Sequence, residues 1–294
     1  MDQFGAAVER VWPDRRSRIE VLGGGITNHN VKVSLDDGGV YVLRIAGKDT
    51  ELLGIDRRRE YEATRAAAAV GVGPEVVAFV EPEGWLVTRF IEGRIPEPER
   101  MREPELLRRV AGALRAFHAA PPIPGGFDSF RVVEAYRETA AERGSRAPGE
   151  YAWAKEIADR IERLRGVFPE RPCHNDLLNA NFIDDGSAIR IVDWEYAGMG
   201  DVFFDLANFA VNHEFDPDTR HSLLEAYFGE VRSADVQRLE LMRFMSDFRE
   251  AMWGVLQAAV SELDFDFEAY GAEHFGRMVR TAEEPAFHAA LGTA

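Results

Sequence analysis

The chain has 294 residues, of which 46% are hydrophobic, and a formal charge of −16. That is enough apolar material for one large domain or two lobes, and too much for disorder. The acidity argues against nucleic acid or an anionic membrane surface as a partner, since both require a basic patch, and it suits a cationic substrate drawn to an acidic cleft.

The single cysteine, Cys173, can form no internal disulfide, and no Cys/His cluster has zinc-site spacing. The N-terminal stretch carries Asp2, Glu9 and Asp14 in place of an apolar leader core, and no run of about 18 apolar residues occurs. A soluble cytoplasmic protein, with no nucleic-acid or membrane partner, is the expectation.

In chain order, a short helix ends near Trp12-Pro13. Strands come next at 19–22, 30–35 and 40–45. The first pair flanks the turn Gly23-Gly24-Gly25-Ile26-Thr27-Asn28, and the hairpin signal Asp36-Asp37-Gly38-Gly39 joins the second. Residues 56–69, charged and then Ala-rich, predict a helix that stops at Gly71-Val72-Gly73-Pro74. Two more strands, 76–80 and 85–90, close a five-stranded antiparallel lobe, and residues 92–96 read as a linker. The rest of the chain is mostly helical, beginning with an amphipathic helix to His118. A hairpin over 182–192 interrupts it. The spacing therefore predicts an α+β, bilobal architecture: a small sheet lobe with one helix over 1–92, and a larger helical lobe over 93–294.

The chemistry concentrates in Cys173-His174-Asn175-Asp176-Leu177-Leu178-Asn179-Ala180-Asn181 and in Ile191-Val192-Asp193-Trp194-Glu195-Tyr196. The pattern His-x-Asp-x-x-x-x-Asn, with a second Asp across a hairpin, matches the protein-kinase catalytic loop and its metal-binding Asp. Asp176 is the candidate to orient an attacking hydroxyl, with His174 bracing the loop. Asn181 and Asp193 are candidate magnesium ligands through oxygen, and Glu195 is either a further ligand or an acceptor behind them. Each residue alone also fits a turn-capping role; it is their joint spacing that points to phosphoryl transfer.

Gly24 and Gly25 permit close backbone approach to phosphates, with Thr27 and Asn28 as added donors. Arg44 lies within the apolar strand Val42-Leu43-Arg44-Ile45 and needs a carboxylate partner unless it faces solvent. Glu60 is the candidate, with Glu62 the alternative for a shifted helix phase. Asp205, among Phe203, Phe204 and Leu206, reads as a buried acceptor for the loop, and His118 as a satisfied core histidine. Near the C-terminus Trp253, Phe265, Phe267 and Tyr270 are interleaved with Glu250, Glu262 and Asp264. They form either an ammonium-binding cage or ordinary core packing.

These segments resemble the choline/ethanolamine kinases, of the bacterial choline-kinase type, within the aminoglycoside-phosphotransferase and protein-kinase-like superfamily. Gly24-Gly25-Ile26-Thr27-Asn28 is similar to the family's nucleotide loop, and Val42-Leu43-Arg44-Ile45 to its third strand. The motifs at 174–181 and 193–196 resemble its active-site pair, and Trp253-Gly254-Val255-Leu256-Gln257-Ala258 through Tyr270 its choline-site segment. The resemblance implies ATP and Mg2+ as cofactors, Asp176 as catalytic base, and Arg44 with Glu60 organising ATP. It puts Phe90 and Ile91 at the adenine hinge, and Trp253, Glu250, Phe265, Phe267 and Tyr270 at the substrate. Glu250 departs from the family by replacing a cage Trp of the eukaryotic enzymes, and Asn212 falls where they have Glu. The first departure favours a primary ammonium, or a different small cationic alcohol, over quaternary choline.

The expected function is ATP-dependent phosphorylation of a small cationic alcohol, choline or ethanolamine. An aminoglycoside- or thiamine-type phosphotransferase is the alternative within the class. An inactive nucleotide-binding module is the alternative outside it. A protein kinase is disfavoured by the short interval between Asp193 and Asp205.

Overall fold

The computed structural model describes residues 3–23, 28–48 and 50–292. Gly24, Gly25 and Thr27 of the glycine turn lie outside the described residues. The N-terminal lobe is one antiparallel sheet of β1 (Ser17–Leu22), β2 (Asn28–Leu35), β3 (Val40–Ala46), β4 (Val76–Val80) and β5 (Trp85–Arg89), in the order β1-β2-β3-β5-β4. Side chains alternate faces along a strand. Val31, Val33, Leu43 and Val87 accordingly bury one face against Ala7 and Val8 of α1 (Gln3–Val11). Arg44, the neighbour of Leu43, faces the other way. Gly38 takes φ +88 in the β2–β3 hairpin, a conformation open to glycine at no steric cost.

Helix α2 (Arg57–Ala69) covers the Arg44 face. Asp56 caps it by accepting from the backbone N–H groups of Arg58 and Arg59. Its inward stripe is Glu60, Ala63, Thr64 and Ala67, the spacing of one helix face. The linker is tied down: Arg94 exchanges both backbone hydrogen bonds with Asp184, at 3.1 and 2.9 Å.

The C-terminal lobe contains α3 (Pro104–His118), α4 (Ser129–Glu142), α5 (Tyr151–Arg165), α6 (Val202–Asn212), α7 (Pro217–Phe228), α8 (Ser233–Val260), α9 (Phe267–Glu283) and α10 (Pro285–Leu291). Helix α8 is its axis, buried on every side over residues 239–254, as expected of a core helix. It packs against α4, α6 and α9. Where α8 crosses α9 the backbones nearly touch, and a Cβ on Gly254 would stand 2.9 Å from the Gly271 Cα.

Two small ribbons frame the motifs. The expected hairpin forms from β7 (Phe182–Asp184) and β8 (Ile189–Ile191). A second ribbon, which the sequence pattern does not reveal, pairs β6 (Arg171–Cys173) with β9 (Gly198–Gly200). The sheet lobe begins two residues earlier than expected, at Ser17, because Ser17 and Arg18 pair with Leu35 and Ser34.

Candidate active site

Between β6 and a short 3-10 turn at Asn179–Asn181 the chain makes a loop with few backbone partners of its own. Helix α6 supplies them. Asp205 is fully buried and accepts from the backbone N–H groups of His174 at 2.8 Å and Asn175 at 2.6 Å, while His118 Nε2 lies 2.9 Å from it. Asn208 Oδ1 accepts from the Leu177 N–H at 2.6 Å. Asp205 and His118 thus have the roles expected of them, and the Asn208 contact was not foreseen.

Asn175 and Asp193 both adopt left-handed backbone, φ +67 and +68. Non-glycine residues enter this region at an energetic cost that surrounding contacts must hold in place. For Asn175 those contacts are Asp205 on its N–H and the Tyr196 carbonyl, 3.0 Å from its Nδ2.

His174 is fully committed. Its Nδ1 accepts from the Asp176 N–H at 3.2 Å, so Nε2 carries the proton and donates to the Val192 carbonyl at 3.0 Å. Burial lowers its pKa, which keeps the ring neutral. The same bonds fasten the loop to the β8 side of the site. Asn181 completes the fastening: its Nδ2 donates to the Asp176 carbonyl at 2.8 Å, and its own carbonyl accepts from the Val192 N–H at 3.0 Å. Asp176, Asn181 and Asp193 are therefore brought together.

Arg44 reaches across from β3. Its Nη1 is 2.9 Å from Glu60 Oε1, 2.6 Å from Asp193 Oδ1 and 3.9 Å from Glu195 Oε2. The helix phase is settled in favour of Glu60; Glu62 pairs outward with Arg65. Arg57 is a member that sequence reasoning missed, with Nη1 at 2.8 Å from Glu60 Oε2 and 3.1 Å from Glu195 Oε2. Asn28 Nδ2 also donates to Glu195 Oε2, at 2.8 Å. The carboxylates separate electrostatically. For Asp193 burial raises the pKa, but Arg44 outweighs it and holds the group below the usual range. Burial pushes Asp176 well above that range, with Arg249 opposing and Glu250 adding to the rise.

A cavity of about 400 Å3 opens between the lobes, and Arg44, Glu60, Phe90, Ile91, Asn181 and Asp193 all line it. Lys32 Nζ lies 3.8 Å above the Phe90 ring.

An aromatic group connects to Asp176 through Arg249, whose Nη1 is 3.6 Å from Asp176 Oδ1 and whose guanidinium lies 4.7 Å over the Tyr196 ring. Trp253 and Tyr270 meet edge to face with centroids 5.3 Å apart, and Trp253 Nε1 donates to the Tyr196 hydroxyl at 2.9 Å. Tyr270 donates to Glu250 Oε2 at 2.9 Å. Phe267 packs behind Trp253 in the core, 4% exposed, whereas Phe265 lies at the surface, 44% exposed. Of the five expected residues, Trp253, Tyr270 and Glu250 thus converge and the two Phe flank them. Arg249 joins this group without having been foreseen. The signal available was an Arg-Glu pair inside an otherwise apolar helical turn.

The profile of the phosphotransferase enzyme family matches residues 18–241. Human ethanolamine kinase 2 is 30% identical to this chain, over 92% of it and 77% of the human protein. The crystal structure of a choline/ethanolamine kinase family protein from Mesorhizobium loti superposes with TM-score 0.85 at 30% identity, covering 100% of this chain and 99% of that one. Choline kinase LicA from Streptococcus pneumoniae shares the fold, with TM-score 0.78 at 21% identity over 96% of this chain and 98% of that one. With a buried acid-and-amide cluster at the lobe junction and relatives of this kind over nearly its whole length, the chain belongs to the phosphotransferase enzyme family, in the company of the choline and ethanolamine kinases.

Proposed function

We propose that this protein transfers the γ-phosphate of ATP to the hydroxyl of a small cationic alcohol, of the choline or ethanolamine class. The observation that carries the reading is the location of Asp176. Its backbone carbonyl accepts from Asn181, which lines a cleft with Arg44 and Asp193, and its carboxylate is 3.6 Å from Arg249 Nη1, beside a group formed by Trp253, Tyr270 and Tyr196. The first suits polyphosphate, and the second suits an ammonium against aromatic faces.

In this reading residues 1–92 form the nucleotide lobe and residues 93–294 the catalytic and acceptor lobe. Adenine lies against Phe90 and Ile91. Arg44, oriented by Glu60, meets the phosphates. The donor set of Asn181 and Asp193, with Glu195 behind, fits magnesium, which takes hard oxygen ligands. With Asn181 Nδ2 spent on the Asp176 carbonyl, the atom it has to offer a metal is Oδ1. Magnesium bound there supplies positive charge to the phosphate oxygens.

Asp176 accepts a hydrogen bond from the substrate hydroxyl and aims its oxygen in line with the γ-phosphorus. One P–O bond forms to the alcohol as the bond to the ADP oxygen breaks. The hydroxyl proton passes to Asp176, and no covalent enzyme intermediate forms. Among the described residues no helix is long and apolar enough to cross a membrane.

The test is a panel of alcohols (choline, ethanolamine, an aminoglycoside and thiamine) with ADP formation as the readout. Turnover of the small amine alcohols in strong preference to the larger substrates is expected. Equal or better turnover of thiamine or the aminoglycoside contradicts the reading. So does ADP formation with none of them.

A further inference from the structure

Glu250 and its neighbour Arg249 lie at the acceptor end, and their contacts assign them a task other than direct capture of an ammonium group. Arg249 is 1% exposed and Glu250 is 2% exposed. Both oxygens of Glu250 are engaged within the protein. Oε1 is 2.6 Å from Arg249 Nη1, and Oε2 accepts from the Tyr270 hydroxyl at 2.9 Å. The guanidinium lies 4.7 Å over the Tyr196 ring, so it fills one cation-binding aromatic face itself.

The other end of the guanidinium points to the loop. Arg249 Nη2 donates to the Asn175 carbonyl at 2.6 Å, and Nη1 lies 3.6 Å from Asp176 Oδ1, an ion-pair distance. Asp205 holds the Asn175 N–H and Arg249 holds its carbonyl. Both sides of this left-handed residue, immediately before Asp176, are therefore clamped. A planar fork with fixed donor directions can do this where a point charge cannot.

We propose that Arg249 is a positioning residue for the transfer reaction: it couples the acceptor end of the site to the Asp176 carboxylate, with Glu250 as its anchor. A chain of contacts then runs from Tyr270 through Glu250 and Arg249 to Asp176. Glu250 acts on the acceptor through this chain and is not the ammonium's direct counter-ion. The inference rests on the proposed kinase activity and names residues that the activity alone does not single out.

The experiment is steady-state kinetics on the full chain with the best alcohol of the panel. The variants are Arg249→Lys, Arg249→Met, Glu250→Gln and the double variant Arg249→Lys/Glu250→Gln. ADP binding and the thermal midpoint report whether each is folded. Misplacing a reacting group by about 1 Å costs on the order of 100-fold in rate. Glu250→Gln and Arg249→Lys are therefore each expected to lower kcat about 10- to 100-fold, with KM for alcohol and ATP within about threefold of wild type. Arg249→Met should lower kcat further than Arg249→Lys. The double variant should be no slower than the slower single, since residues acting as one unit are not additive. If Arg249→Met does not fold, the Lys and Gln variants carry the same kcat prediction.

A Glu250→Gln variant with raised alcohol KM and unchanged kcat overturns the proposal, because Glu250 then meets the ammonium directly. Multiplicative losses in the double variant overturn it as well. Wild-type protein that binds ADP but phosphorylates no alcohol removes the proposed function, and this inference with it. That result is read before any variant is made, so the two failures are distinguishable.

Discussion

Arg44 illustrates what a single residue discloses. A guanidinium in an apolar strand demands a carboxylate, and Glu60, near the start of the next helix, was the natural candidate, with Glu62 left open for a shifted helix phase that only the fold resolves. Arg57 was not legible. It opens the run Arg57-Arg58-Arg59, and nothing in the sequence says which of the three turns inward. Only the fold decides that Arg57 meets Glu60 and Glu195, while Arg58 and Arg59 pair with exposed acids. Glu60 therefore answers two arginines, and Glu60→Gln leaves each with less. Arg44 keeps Asp193, so the loss is that of a buried charged hydrogen bond. We expect about 1–3 kcal/mol of destabilisation in a denaturant titration and a raised KM for ATP. A variant as stable as wild type, with unchanged ATP kinetics, would show that the pairing carries no weight.

Among the elements, α6 does more than its sequence suggests. Asp205, Asn208 and Asn212 fall on one face, and each bonds to the loop backbone: Asp205 to His174 and Asn175, Asn208 and Asn212 to Leu177. Asp205 was readable from its apolar neighbours. The two asparagines were not, because an Asn in a helix is as readily a surface residue.

The helix ends at His213, which is 3% exposed and donates from Nδ1 to the Phe209 carbonyl at 2.8 Å. Burial lowers its pKa to about 4. In the unfolded chain it titrates near about 6.5. Between these values the unfolded state binds more protons. Stability therefore falls as pH drops through this window, by up to about 3 kcal/mol at its lower end. His213→Gln is expected to flatten the pH dependence of the thermal midpoint between pH 4 and 6.5 relative to wild type. Parallel curves would contradict this. Helix α6 also shows why β6 and β9 escaped notice: three-residue strands have no periodicity to read, and tertiary contacts alone define them.

At the scale of the molecule, the five-stranded lobe was legible because alternation and turn residues agree along its length, and the catalytic loop because its spacing is stringent. The acceptor end was legible only in part. Trp253 on α8 and Tyr270 on α9 converge because the two helices pack together there, while Phe267, at the start of α9, turns into the core and Phe265, before that helix begins, stays at the surface. Periodicity marks a buried face without saying whether it lines a cleft or fills a core. The acidic chain, the inter-lobe cavity and the aromatic end converge on Asp176, and the proposed chemistry stands or falls there. The direct measurement is phosphorus NMR of wild type and Asp176→Asn incubated with ATP, magnesium and ethanolamine or choline. Wild type is expected to form a phosphomonoester of the alcohol and ADP in equal amounts. Asp176→Asn should form it at least about 100-fold more slowly with ADP binding preserved. Phosphomonoester formation at the wild-type rate by Asp176→Asn, or none by wild type, would contradict the account.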